Sequence, residues 1–123
     1  MWTPIAWARS GARWTPRCLD SLKAQTLFPQ LEIIVADNAS TDGSDRAAAE
    51  QIKDWPRAKF IQNGANLGFA LGNNRGAAHA TGEWLFILNN DAWLEPDCLE
   101  ILLRETERAH AAISCPLVLN YDD

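Results

Sequence analysis

Cysteine, histidine and long apolar runs are scarce in this sequence, and each scarcity removes a class of function. The three cysteines, Cys18, Cys98 and Cys115, are too few and too scattered for a disulfide framework, and no C-x-x-C pair suggests zinc or dithiol chemistry. They read as reduced, packed thiols. The two histidines, His79 and His110, have no metal-ligand spacing and no acidic companion in a motif, so they read as solvated or packed side chains. The longest fully apolar run is Trp84 to Leu88, against the ~20 residues that cross a bilayer, so no membrane span is expected. Near the N-terminus, Ile5 to Ala8 is shorter than the ~7 to 15 apolar residues of a signal peptide, which makes the cytoplasm the expected compartment. Basic charge is also short: 11 Lys and Arg face 16 Asp and Glu, for a net charge of -5. No stretch gathers the cations onto one element, which excludes a nucleic-acid footprint. An anionic ligand would need local donors or a metal.

What is present is enough for a packed core. With 123 residues, 47% of them hydrophobic, the chain is one domain or a piece of one. From Thr15 onward helical and strand-like segments alternate. Thr15 and Pro16 open a helix whose apolar face is Cys18, Leu19 and Leu22, ending near Thr26. Leu31 to Ala36 is a short β-branched run closing on Asp37, as in a strand buried on both faces. Asn38 to Ser44 is rich in turn-forming residues, with Gly43 suited to a φ that other residues resist, and Asp45 to Trp55 reads as an amphipathic helix. Lys59 to Gln62 is a weaker strand, Phe69 to Ala80 a helix, and Glu83 to Leu88 the strongest strand, ending on Asn89, Asn90 and Asp91. Pro96 starts a helix running to about Ala109, and Ala112 to Leu119 looks like a last strand.

The order α-β-α-β-α-β-α-β argues for an α/β fold with a parallel sheet flanked by helices. Ligands of such sheets bind beyond the carboxyl ends of the strands. The two richest polar clusters follow two such ends, at Asp37 and at Asn89 to Asp91. If those strands are neighbours, their acidic tips face one crevice. No G-x-G-x-x-G follows the first strand, and no acidic pair with a distal lysine occurs, which argues against dinucleotide-binding and receiver-type domains.

The segment LEIIVADNASTDGS, followed by NGANLGFALGNNRGAAHATGEWLFILNNDAWLEPD, resembles the N-terminal half of family-two glycosyltransferases with the GT-A fold. Three separated motifs occur in order, and N-N-D in place of D-x-D is most similar to rhamnosyltransferase-type members. The resemblance covers residues 15–123, leaving 1–14 as an atypical segment, and implies a mostly parallel, Rossmann-like sheet that binds a nucleotide-diphosphate sugar. It implies that Asp37 contacts the nucleobase, a role that suits a charge-assisted acceptor; the alternative is that Asp37 merely caps the turn that it shares with Ser40 and Asp42. Asn66, Gly68, Asn74 and Arg75 match the segment lining the nucleoside and phosphate side, with Arg75 a candidate for the diphosphate or for a surface acid. Asp91 matches the metal-binding end of D-x-D, where Mg2+ or Mn2+ would bridge the phosphates. Asn89 replaces the first acid, so binding through one carboxylate should be weaker. Asn89 and Asn90 can still accept from ribose hydroxyls or orient Asp91.

Two departures shape the expectation. Family members start with a buried β-branched strand, whereas MWTPIAWARSGARWT does not look like one, and an altered reading frame ahead of Thr15 would account for it. The family's catalytic base, on the side of the saccharide or lipid-linked acceptor, comes well after the N-N-D strand, and Asp122 and Asp123 are too near that strand to match it. The expectation is therefore the donor-binding half of an inverting, metal-dependent transferase of cell-surface polysaccharide synthesis, or a catalytically incompetent fragment that at most binds nucleotide.

Overall fold

A computed structural model describes residues 11–121 in full and the strand Trp2–Ala8 by its backbone alone. Four parallel strands form one sheet: β1 (Trp2–Ala8), β2 (Ile33–Asp37), β3 (Ala58–Gln62) and β4 (Trp84–Asn89), in the spatial order β3-β2-β1-β4. The helices are α1 (Thr15–Lys23), α2 (Ser44–Ile52), α3 (Gly68–Ala77) and α4 (Cys98–Arg108). Each parallel pair needs a crossover, and the helices supply it.

The middle of the sequence folds as its pattern dictates. All five residues of β2 are buried, as expected of a strand covered on both faces. Ile33 and Val35 join Cys18, Leu19 and Leu22 of α1, Ala48 and Ile52 of α2, Phe86 and Leu88 of β4, and Leu99 and Leu102 of α4 in the main core. Ile34 and Ala36, also buried, point to the opposite face, where α3 packs over β1 and β2. Leu85 and Ile87 lie on the uncovered part of that face and are exposed. Gly43, at φ +83°, takes the left-handed conformation at the start of α2 that its place in the turn predicted.

Both ends of the chain differ from expectation. Trp2–Ala8, read as unlike a buried strand, is β1, and it lies centrally between β2 and β4. Parallel pairing on both sides stabilises a strand of weak intrinsic pattern, because ladder bonds and neighbours outweigh propensity. Conversely, 112–119 is not a strand; the described residues beyond α4 are irregular, with Ile113, Leu117, Val118 and Leu119 exposed. Pro116 removes one ladder donor, and no described strand pairs with this segment. Thr15 is also the first residue of α1 rather than its cap, which is Trp14.

Candidate functional site

The strand order reverses between β1 and β4, and the crevice beyond their carboxyl ends is where this topology places ligands. The strands that carry the two polar clusters, β2 and β4, are not neighbours; β1 separates them. Ala8 pairs with Asp37 and Trp7 with Asn89, so the two tips end nearly level on either side of β1. Two strand spacings put them roughly 10 Å apart, wide enough for an extended ligand to touch both.

On the β2 side Asp37 is only 1% exposed. Its Oδ2 accepts from the Ser40 amide (2.9 Å) and from Gln62 Nε2 (3.0 Å), and its Oδ1 accepts from the Ser40 hydroxyl. The turn-capping role is thus realised. Each carboxylate oxygen can accept two bonds, so Oδ1 keeps a free lone pair. Asp42 does not share this turn: it accepts from the Ser44 hydroxyl and amide and from the Ala12 amide (3.1 Å), which ties the β1–α1 connection to the β2–α2 loop. These bonds hold its carboxyl below the usual range, with the Ser44 side chain contributing most.

Around Asp37 lies an amide network that the sequence showed only as turn residues. Asn38 is fully buried; its Nδ2 donates to the Gly68 carbonyl (3.0 Å), and its Oδ1 accepts from Asn63 Nδ2 (2.8 Å). Asn66 Oδ1 accepts from the Gly68 amide, and Asn73 Nδ2 donates to the Phe69 carbonyl. The Oδ1 atoms of Asn63 and Asn73 are buried and have no partner. An unpaired buried acceptor costs about 1–3 kcal/mol, so two in one network mark a place that a donor, from water or ligand, would relieve. Arg75 donates weakly to the Asn63 carbonyl (3.4 Å), and Asn74 is exposed on α3. Asn66, Gly68 and Arg75 thus gather with Asp37 on the β2–β3 side, away from Asp91.

On the β4 side Asp91 and Asn89 are exposed, while Asn90 is buried and donates to Thr15 Oγ1 (3.0 Å). That bond explains Gly11: a Cβ there would lie 1.8 Å from Asn90 Nδ2 and 2.5 Å from Thr15 Oγ1. Close backbone approach at Gly11 therefore seats Asn90 and, through it, the turn carrying Asp91. Cys18 Sγ contacts the Asn89 carbonyl (3.6 Å); burial and, to a lesser degree, the charge of Asp91 push its thiol up to about 12, so it is an inert packing group. Gly11, Thr15 and Asn63 carry no site role along the sequence, because only the fold brings them to the crevice, whereas Asn73 falls in the stretch that the resemblance places along the nucleoside and phosphate side. Asn63 and Asn73 did lie within the segments that carried the resemblance.

Asp91 and Asn89, two residues apart, offer hard oxygen donors of the kind that Mg2+ and Mn2+ take. Among the described residues no group of three or more His, Cys, Asp and Glu is assembled, so most coordination positions would fall to a ligand's phosphates and to water.

Known proteins resemble this chain in sequence and in fold. The model of "Glycosyl transferase family 2" matches residues 8–123. The chain is 33% identical over 106 residues to the putative glycosyltransferase EpsH of Bacillus subtilis, covering 86% of this chain and 30% of that protein. It is 30% identical over 118 residues to N-acetylglucosaminyl-diphospho-decaprenol L-rhamnosyltransferase of Mycobacterium tuberculosis, covering 86% of this chain and 37% of that one. Among solved structures, mannosyltransferase PcManGT of Pyrobaculum calidifontis, in complex with GDP-Man and Mn2+, superposes with a TM-score of 0.80 at 28% identity, over 85% of this chain and 32% of that one. S. aureus TarS 1-349 in complex with UDP-GlcNAc gives a TM-score of 0.80 at 21% identity, over 89% and 32%, which shows the shared GT-A fold. The chain spans less than two fifths of the length of each of these relatives. With a family match over nearly its whole length and the crevice at the expected strand ends, this chain belongs to glycosyl transferase family 2, as an N-terminal portion of the α/β GT-A fold.

Proposed function

We propose that this chain binds the nucleotide-diphosphate sugar of an inverting glycosyltransferase of polysaccharide synthesis, whose acceptor is a saccharide or a lipid-linked saccharide. The observation that carries this reading is the pair of clusters flanking the end of β1, amide-rich at Asp37 and acidic at Asp91. The spare lone pair on Asp37 and the unpaired oxygens of Asn63 and Asn73 suit the N–H groups of a nucleobase and the hydroxyls of its ribose. Asp91, assisted by Asn89, would hold the divalent cation, which supplies charge neutralisation to the departing diphosphate. Asn90, pinned to Thr15, orients the Asp91 turn.

Transfer also needs a base that takes the proton of the acceptor hydroxyl as it attacks the anomeric carbon from the face opposite the diphosphate. No described residue is assigned that role. Calorimetric titration with UDP, GDP and dTDP sugars, with and without Mn2+, tests the donor reading. Metal-dependent binding by the wild type and its loss in Asp91→Ala are expected. Equal, metal-independent binding by both proteins would remove Asp91 from the site.

A further inference from the structure

Three distant parts of the chain meet beside the Asp91 turn. The Cζ of Arg17, in the first turns of α1, lies 3.6 Å from the ring centroid of Trp93 and 4.8 Å from that of Tyr121. Trp93 in turn stacks with Trp14 (6.2 Å between centroids, 20° between planes) and meets Tyr121 edge-on at 4.7 Å. Trp93 follows Asp91 by two residues, and Cys18, next to Arg17, feels the charge of Asp91. The aromatic wall and the proposed cation site therefore share one rim.

At 3.6 Å the guanidinium is packed on the indole face, and a stacked guanidinium keeps its N–H edge open for a planar, two-point acceptor. Among the described residues no carboxylate lies within ion-pair distance of Arg17. Asp20, one turn further along α1, accepts from Gln51 instead (2.9 Å). Arg75, the sequence's candidate for the diphosphate, is directed to the Asn63 carbonyl on the far side of β1. In a chain of net charge -5, Arg17 is thus held by rings rather than by an acid, next to the carboxylate proposed to take the metal.

We infer that Arg17, held on Trp93 and Tyr121, is a phosphate-recognition residue at the Asp91 end of the crevice. This rests on the donor reading above. The phosphate is either the donor's diphosphate or one carried by the acceptor, and the chemistry of recognition is the same: a bidentate, charge-assisted contact.

The test is calorimetry of the wild type, Arg17→Gln and Arg17→Lys with UDP plus Mn2+, with uridine, and with N-acetylglucosamine 1-phosphate. Loss of one Arg–phosphate contact weakens binding roughly ten- to hundredfold. A loss confined to UDP assigns Arg17 to the donor, and a loss confined to the sugar phosphate assigns it to the acceptor. Lysine should restore only part of the affinity, and uridine binding should not change. If UDP binding is lost in Asp91→Ala but neither phosphate ligand is affected by Arg17→Gln, the inference fails and the donor reading stands. A wild type that binds neither phosphate ligand overturns both. Should Arg17→Gln not fold, the Arg17 Nε–H resonance of the wild type provides the same test: a shift on adding UDP or sugar phosphate supports recognition, and no shift with either refutes it.

Discussion

Asp37 is where turn capping and ligand binding can be separated by two substitutions. Asp37→Ala removes the acceptor for three donors: the Ser40 amide, the Ser40 hydroxyl and Gln62 Nε2. Hydrogen bonds to a charged group contribute about 1.5–3 kcal/mol each. Gln62 is exposed and Ser40 half-buried, so water recovers part of that, and a net loss of about 3 kcal/mol is expected. Asp37→Asn is different. Its amide oxygen can take the place of Oδ2 and accept from both N–H donors, while its NH2 donates to the Ser40 hydroxyl, which can turn round to accept. Only the charge assistance is lost, at about 1 kcal/mol. Urea denaturation of the two variants should show this threefold difference. If the spare lone pair of Oδ1 takes a nucleobase N–H, Asp37→Asn should still lower UDP affinity by roughly tenfold or more. An Asp37→Asn variant as unstable as Asp37→Ala would refute the hydrogen-bond assignment. One that binds UDP as tightly as the wild type would leave Asp37 as a turn cap alone.

Two further outcomes follow from the packing beneath the site. Gly11→Ala should break the Asn90–Thr15 bond and cost about 1–3 kcal/mol through overpacking, and it should weaken metal-dependent UDP binding; an unchanged melting temperature would contradict the contact. Thiol titration of the native protein should label exposed Cys115 first, Cys98, whose pKa is raised by partial burial, more slowly, and Cys18 only on unfolding. Because Cys18 stays protonated to about 12 in the fold but ionises near 9.0 when unfolded, its contribution to stability is intact below pH 9 and falls as pH rises from there towards 12; early labelling of Cys18 would refute its burial.

Much of this protein was legible along the chain. The β-branched run before Asp37, the strand before Asn89 and the helices α1 to α4 appear within a few residues of their expected bounds, because each is a local pattern whose burial the periodicity encodes. The candidate carboxylates were legible for the same reason: they stand at the ends of those strands. Only the tertiary structure decided three other things. It made Trp2–Ala8 a central strand and left 112–119 unpaired, since pairing depends on neighbours remote in sequence rather than on a segment's own composition. It put β1 between the two polar tips, so that they flank the crevice instead of adjoining. It also brought Gly11 to Asn90 and Arg17 to Trp93 and Tyr121, contacts between positions too far apart in the chain for any local motif to reveal.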